Sequence, residues 1–377
     1  MKYILICPYN AAQIAKKELS FLWYKATIVT PTVLEFEWDE AAIARVSINS
    51  RIASKLYIKL AEWRANVFED LFQIVTAIDW KKYIPMKHPF NIHANSKQST
   101  LTSIPTLQSI TKKAIANKLL GSDAKRWDED TTIEPIHISI NITQQNCSVL
   151  LDTTGDSLHN RGYRQYAGAA PLKENLAAAL VLASGRKFST PLVDPFCGAG
   201  TIAIEAALIA KNMAPWLGRF FAFEDFERYN KKHLEDAKAE AAEKVMLTKE
   251  HTIIGYDIDA RMIELAKENA KRAGVENFVH FEQRDFLTNT NPLIPNATEE
   301  TAYGIVTNPP YGERMKPVEL KEIYQKLISL CEDNGKINGW FISNAPEAQT
   351  LIQPSYWKET RFFNGTIECT FYKIARL

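Results

Sequence analysis

At 377 residues the chain is too long for one ordinary hydrophobic core, and a typical domain of about 150 residues predicts two or three units. Apolar residues at 46%, charged residues at 24% and aromatics at 11% exclude a disordered, collagen-like or fibrous protein. The 45 Lys and Arg against 44 Asp and Glu leave a formal charge of +1, a balance that by itself gives nucleic acid and acidic membranes no claim as partners.

The N-terminal stretch is apolar for only a few residues before Pro8 and Asn10, too short for a signal-peptide core. The longest apolar run, Leu176 to Ala183, is far below a membrane span. Cys7, Cys147, Cys197, Cys331 and Cys369 lie far apart without a CxxC pair. That spacing predicts neither a metal site nor a disulfide framework, and it suits a reduced, cytoplasmic compartment.

In chain order, Lys2–Cys7 reads as a strand, Ala11–Trp23 has helical spacing, and Thr27–Trp38 alternates in period two around Pro31. Asp39 is a candidate cap for a helix over Glu40–Asn49, and Lys55–Glu62 is again strand-like. This β-α-β-β-α-β order predicts a ferredoxin-like unit over 1–60. A second α+β unit is expected over 61–156. It has helices at Val67–Ile78 and Leu107–Leu120, a strand at Phe90–Ala94, and paired strands at Ile136–Ile142 and Cys147–Asp152.

The second unit carries a lopsided charge. Nine basic residues and one acid, Asp123, lie between Lys81 and Arg126, so this stretch holds +8 and the rest of the chain −7. Basic charge clustered in a balanced chain is a footprint for phosphates, which reverses the whole-chain inference about nucleic acid. Lys81, Lys82, Lys112, Lys113 and Lys118 are the candidate contacts.

From 157 to 377 the pattern becomes alternating βα units, which predicts an α/β fold with a parallel doubly wound sheet. Expected strands are Leu192–Phe196, Thr252–Asp257, Phe278–Phe281, Gly304–Thr307 and Ile337–Ser343. Helices are expected at Thr201–Lys211, Ala260–Arg272 and Pro317–Cys331. Asn364-Gly365 is a hairpin signal that places an antiparallel pair at the sheet's end. The charged stretch Asp225–Lys249 reads as a solvated insertion.

Three segments of this last unit carry chemistry. Leu192–Thr201 is a strand that ends at Asp194 and passes through Gly198-Ala199-Gly200 into a helix. Such a turn lets backbone approach a cofactor and points helix N–H groups at it. Asp257 ends the next strand, where a carboxylate can accept both hydroxyls of an adenosine ribose, and Asp259 suits the cap of the following helix. Asp285 ends the third strand, either facing an adenine amine or capping a helix. Thr307-Asn308-Pro309-Pro310-Tyr311-Gly312 follows the fourth strand. Its prolines have no N–H, which leaves the Asn308 side-chain oxygen and the Pro309 carbonyl as acceptors for a planar exocyclic amine. Tyr311 adds a stacking face. Arg161, Tyr163, Arg164 and Lys173 before the first catalytic strand, and Arg314 after the acceptor turn, are either phosphate or cofactor contacts or packed structural residues.

Through DPFCGAGT (194–201), GYDID (255–259), QRDF (283–286) and NPPYG (308–312), the C-terminal half resembles class I S-adenosylmethionine-dependent methyltransferases that modify amines. The whole chain more closely resembles THUMP-domain RNA methyltransferases related to the bacterial 23S rRNA guanine-N2 methyltransferase. Leu158–Arg164, Ala170–Ala178, Asn308–Arg314 and Phe363–Cys369 carry the closer likeness. The resemblance implies a ferredoxin-like segment, then a THUMP domain, then a Rossmann-like methyltransferase sheet. It implies S-adenosylmethionine as cofactor, held by Asp194, Phe196, Cys197, Gly198, Gly200, Thr201, Asp257, Ile258, Asp285, Phe286 and Asn308. Asn308, Pro309, Pro310 and Tyr311 would form the catalytic turn, and RNA would be the partner, rRNA ahead of tRNA, touched by the lysines above with Arg161, Arg164 and Arg314. Larger relatives fuse a second methyltransferase domain that this sequence lacks, so no activity at cytosine or guanine N7 is carried over.

The chemistry expected is in-line methyl transfer to a base turned out of its stack, with no covalent nucleophile. Three alternatives stay open: a protein glutamine N5-methyltransferase, an adenine-N6 DNA methylase, and a ribosome-assembly RNA-binding factor without activity.

Overall fold

The computed structural model describes residues 1–121, 127–164, 172–185, 190–216, 218–246, 251–298, 300–310, 317–333, 335–351, 360–365 and 367–374. These form two seven-stranded sheets. In the first, β1 (Lys2–Ile6), β2 (Thr27–Thr30), β3 (Val33–Glu37) and β4 (Lys55–Arg64) are joined through helices α1 (Ala12–Phe21) and α2 (Ala41–Asn49). Their order is β2-β3-β1-β4, all antiparallel, the ferredoxin-like arrangement that the element order predicts. Asp39 accepts the Ala41 N–H at 3.1 Å and so satisfies one orphan donor at the start of α2.

The same sheet then runs on without a break. Helices α3 (Phe68–Ala77) and α4 (Ile104–Leu120) accompany β5 (Phe90–Lys97), β6 (Ile136–Thr143) and β7 (Asn146–Asp152), and the strand order continues β4-β7-β6-β5. Residues Lys55–Lys59 of β4 pair with β1, while Tyr57–Arg64 pair with β7. The expected boundary at 60/61 therefore falls inside a strand shared by both units. Tyr3, Leu34, Leu56, Ile58, Leu107 and Ile140, all buried, belong to one continuous core.

The second sheet comprises β8 (Leu192–Asp194), β9 (Ile253–Asp257), β10 (His280–Gln283), β11 (Tyr303–Thr307), β12 (Ile337–Ser343), β13 (Thr360–Asn364) and β14 (Ile367–Ile374), in the order β10-β9-β8-β11-β12-β14-β13. The first five are parallel, and the hairpin at Asn364-Gly365 supplies the antiparallel end. Gly365 turns at φ +66°, which an L side chain rarely adopts. Strand order reverses between β8 and β11, and a crevice opens there beyond the carboxyl ends of the strands.

Two helices depart from the sequence expectation. Helix α5 (Glu174–Ala183) is buried at eight of its ten positions and packs on α1 and on α6 (Thr201–Ala210). A helix apolar on every side has no periodic signal, so only its apolar run was legible. The charged stretch read as a solvated insertion contains α7 (Lys232–Glu243), whose Leu234, Ala237 and Ala241 are buried, and α7 packs against α2. Arg45 of α2 is ion-paired with Glu240. Nearby, the Arg228 N–H donates to the Lys82 carbonyl at 3.1 Å and Lys82 pairs with Glu40 at 3.2 Å. The insertion clasps the catalytic sheet to both N-terminal units, a role that three apolar residues among many charges do not advertise.

Candidate active site

The first cofactor element is built by a very short buried strand. β8 stops at Asp194, and the chain turns through Pro195–Gly200 into α6, with φ +51° at Gly198 and +82° at Gly200. The two glycines serve different purposes. A Cβ at Gly198 would meet nothing within 4 Å, so this residue leaves open space beside the cleft. A Cβ at Gly200 would lie 2.8 Å from Phe281 Cζ and 3.0 Å from Ala266 Cβ. Gly200 is demanded by packing beneath the turn. The turn is stapled to β9: Cys197 N–H donates to the Tyr256 carbonyl at 2.7 Å and Gly198 N–H to Asp257 Oδ2 at 2.9 Å.

Three acids end three neighbouring strands in three different states. Asp194 is 1% exposed, and burial raises its carboxyl to about 7 against hydrogen bonds from Thr307 and the Phe196 N–H, with Asp257 adding repulsion. Burial also pushes Asp257 up, opposed by the N–H groups of Asp259 and Gly198. Each Asp257 oxygen accepts one of these N–H bonds at 2.9 Å, and an ionised carboxylate has about four acceptor sites, so capacity remains for a ligand hydroxyl. Asp285 is held below the usual range by the Thr288 hydroxyl at 2.8 Å, and its other oxygen accepts the Leu287 N–H at 2.9 Å. Asp259 caps helix α8 (Ala260–Arg272) by accepting the Arg261 N–H.

Opposite these acids, β11 ends at Thr307 and delivers the acceptor turn. Thr307 is fully buried and its hydroxyl donates to Asp194 Oδ1 at 2.6 Å. Asn308 Oδ1 is buried and receives no hydrogen bond among the described residues. An orphaned buried acceptor costs roughly 1–3 kcal/mol, so its persistence marks a position waiting for a donor. A cleft of about 750 Å³ opens here, lined by Asp194, Phe196, Gly198, Asp257, Ile258, Asp285, Phe286, Asn308 and Pro310. Cys197 and Thr201 also line it. The Phe196 and Phe286 rings meet edge-on at 5.0 Å, and Ile258 offers an exposed apolar surface, 64% accessible. Tyr311 and Arg314 lie outside the described residues.

Two further residues shape this cleft, Lys326 with no motif around it and Arg284 inside QRDF (283–286), where its own role is not announced. Lys326 of α9 (Pro317–Asp333) donates to the carbonyls of Phe286, Leu287 and Asn289 at 2.6, 3.0 and 3.2 Å and fixes the loop after β10. Arg284 stacks on Tyr256 with its guanidinium carbon 4.1 Å from the ring centre, and it donates to the Pro292 carbonyl at 2.9 Å. Only spatial proximity of segments far apart in sequence reveals either role.

The expected RNA contacts divide. Arg161 is corrected: its side chain is buried, ion-paired with Glu205 of α6, and donates to the Arg51 carbonyl at 2.5 Å. Tyr163 completes this cluster by donating to Glu205 at 3.0 Å. Arg164 is corrected as well, since it donates to the Leu172 carbonyl at 2.8 Å and pairs with Glu174 at 3.2 Å, with its side chain 10% exposed. Arg161 joins the catalytic unit to the N-terminal unit, and Arg164 joins segments within the catalytic unit. Lys81, Lys112, Lys113 and Lys118 are exposed, with Lys112 paired to Glu129 at 2.7 Å. Asp128, Glu129 and Asp130 follow the counted basic stretch immediately, and the Asp130 N–H donates to the Lys87 carbonyl at 2.8 Å. One of these acids, Glu129, thus folds back onto the basic stretch as an ion-pair partner.

All five cysteines are buried free thiols, and burial pushes Cys197 well above its ordinary value. Among the described residues, no group of three or more His, Cys, Asp or Glu is placed to hold a metal ion, and no helix is long and apolar enough to cross a membrane.

Comparison with known proteins finds two family models that match the chain. A family model described as RMKL-like, methyltransferase domain (UPF0020) matches residues 161–373, and a THUMP domain model matches residues 65–152. The chain is 36% identical over 380 residues to a Bacillus subtilis (strain 168) protein named "Putative RNA methyltransferase YpsC", covering 99% of this chain and 96% of that protein. It is similar to a structure described as "Crystal structure of SMU.472, a putative methyltransferase complexed with SAH", at TM-score 0.89 and 30% identity, covering 100% and 98% of the two chains. It is equally similar to a Listeria monocytogenes structure described as a "predicted N6-adenine-specific DNA methylase", at TM-score 0.89 and 31% identity, covering 99% and 95%.

Proposed function

The chain belongs to the UPF0020 methyltransferase family and carries a THUMP domain, and from that premise we propose that it transfers a methyl group from S-adenosylmethionine to an exocyclic amine of an RNA base, guanine N2 of 23S rRNA before any other. The observation that carries this reading is the buried, donorless Asn308 Oδ1 beside a cleft whose opposite wall is the Gly198 turn and Asp257.

The residues present fit the cofactor. Gly198 leaves open space, Asp257 keeps acceptor capacity, and Phe196, Ile258 and Phe286 offer an apolar slot for a flat ring. Bound there, S-adenosylmethionine supplies an electrophilic sulfonium methyl group. The chain's own task is to hold the acceptor. Asn308 Oδ1 and the Pro309 carbonyl take the two hydrogens of a planar amine and so direct its nitrogen lone pair into the cleft. Positioning of this kind supplies much of the acceleration, and no protein nucleophile takes part, since the Cys197 thiol is buried and held protonated. RNA as substrate is supported by the THUMP match, by the exposed lysines of that unit and by the name of the B. subtilis relative.

Mass spectrometry of nucleosides from rRNA and tRNA, with and without the gene, tests the reading. We expect one N2-methylguanosine to disappear from 23S rRNA and to return when purified protein and S-adenosylmethionine are added to that RNA. Loss from tRNA would move the substrate, and methyl incorporation into duplex DNA alone would replace the RNA reading with the activity in the Listeria protein's description.

A further inference from the structure

We infer that Thr307 is a positioning residue whose hydroxyl ties the cofactor-side carboxylate Asp194 to the strand end that presents Asn308, and so sets the separation between methyl donor and acceptor. This rests on the proposed function and deepens it.

The geometry that carries the inference lies at the switch point. Backbone pairing between β8 and β11 covers Leu192–Gly304 and Val193–Ile305. Beyond that pair the strands part, and the two turns proposed to hold donor and acceptor lie on opposite sides of the gap. The 2.6 Å hydrogen bond from Thr307 Oγ1 to Asp194 Oδ1 spans it. Both side chains are buried, Thr307 at 0% and Asp194 at 1% exposure. A threonine has one hydroxyl proton, and here it is spent on Asp194. Its β-branched side chain is stiff at χ1, so the link is short and has little freedom. Valine would fill the same volume in a buried strand without bringing a polar group inside, and only the hydrogen bond argues for the hydroxyl. Thr307 is also adjacent to Asn308, so any shift of one displaces the other.

Among the described residues, the charged and titratable groups that face Asp194 are Asp257 from β9 and the Cys197 thiol from the turn. Neither is a cation. Thr307 and the Phe196 N–H are the hydrogen-bond donors to Asp194 among the described residues, and both favour its ionised form.

Thr307→Val and Thr307→Ser separate the hydroxyl from the side chain's bulk. S-adenosylhomocysteine binding is measured by calorimetry from pH 6 to 9, and single-turnover methyl transfer on RNA from the gene-deletion strain. For T307V we expect the transfer rate to fall roughly 10- to 100-fold, the scale of a misplacement of about 1 Å. RNA affinity should stay within about twofold, and the pH midpoint of S-adenosylhomocysteine binding should move upward because Asp194 loses a bond to its charged form. T307S should restore both. A purely structural role would lower the active fraction without moving that midpoint. The inference is overturned if T307V keeps the wild-type rate and midpoint, or if T307S fails as T307V does. Should T307V not fold, T307A applies the same test. Wild-type protein that binds S-adenosylhomocysteine beside an unaltered T307V sinks this inference alone, whereas wild-type protein that binds none sinks the proposed function with it.

Discussion

The two sheets have the same number of strands and present different polar groups to a partner. The catalytic sheet is parallel over five strands, so its strand ends converge on one edge, and there it keeps polar groups buried and incompletely satisfied: Asp194 at 1% exposure, Asn308 Oδ1 without a donor. The N-terminal sheet is largely antiparallel, and where its unit offers basic charge at the surface part of it is paired, with Lys2 on Glu35 and Lys112 on Glu129. Buried, unsatisfied groups specify a ligand with few alternatives. Exposed, paired ones attract a charged partner without specifying it.

The largest expected effect falls on the junction that makes the two sheets one protein. Arg161→Met leaves Glu205 buried without its counter-ion, and removal of one partner from such a pair costs about 3–5 kcal/mol. Urea unfolding should show that loss, and R161M/E205L should recover part of it. If R161M melts as the wild type does, the cluster does not join the halves.

Asn308→Ala acts on the catalytic edge and leaves the N-terminal sheet untouched. Single-turnover transfer should fall on the order of 10²–10³-fold, as when one preorganised polar partner is removed from an active site. S-adenosylhomocysteine affinity should stay within about threefold. A variant that transfers methyl at the wild-type rate would remove Asn308 from the mechanism.

The contrast also explains what was legible. The catalytic edge was readable because each turn needs particular residue types in a fixed order: an acid at a strand end, glycine at a positive φ, two prolines without donors. Even there, Gly198 and Gly200 looked alike in sequence, and only the proximity of Phe281 separates open space from packing. The role of Arg161 is not legible because its partner lies 44 residues away, and that of Lys326 is not because it binds carbonyls, which have no sequence signature. The strand order of the first unit followed from β-α-β-β-α-β, whereas the merging of two units in β4 did not, since one long strand reads the same whether it has one neighbour or two.

A smaller effect tests the buried acid itself. Burial holds Asp194 at about 7 when folded, against an ordinary carboxyl value of 3.8. Between those pH values the folded chain keeps a proton that the unfolded chain releases, so stability falls as pH rises through this window, by up to roughly 1.4 kcal/mol per pH unit. Asp194→Asn should flatten that part of the profile, measured as urea midpoints at pH 5 and 7.5 without cofactor. An unchanged slope would mean that Asp194 is ionised throughout, and the catalytic edge would then be less unusual than its burial implies.

The smallest effect per residue belongs to the N-terminal lysines, where the distinction between paired and free charge becomes measurable. Lys112 is engaged by Glu129, while Lys113 and Lys118 are exposed on the same helix. Charge already neutralised within the protein releases few counter-ions when a phosphate arrives. Lys113→Glu and Lys118→Glu should therefore each weaken RNA binding and reduce the slope of log K against log salt by about one, and Lys112→Glu should do so less, with S-adenosylhomocysteine affinity unchanged in all three. Filter binding across salt concentrations on deletion-strain RNA reads both quantities. Equal effects at all three positions would mean that the Lys112–Glu129 pair opens when RNA binds, so that the N-terminal sheet holds charge in reserve much as the catalytic edge holds its unsatisfied oxygen.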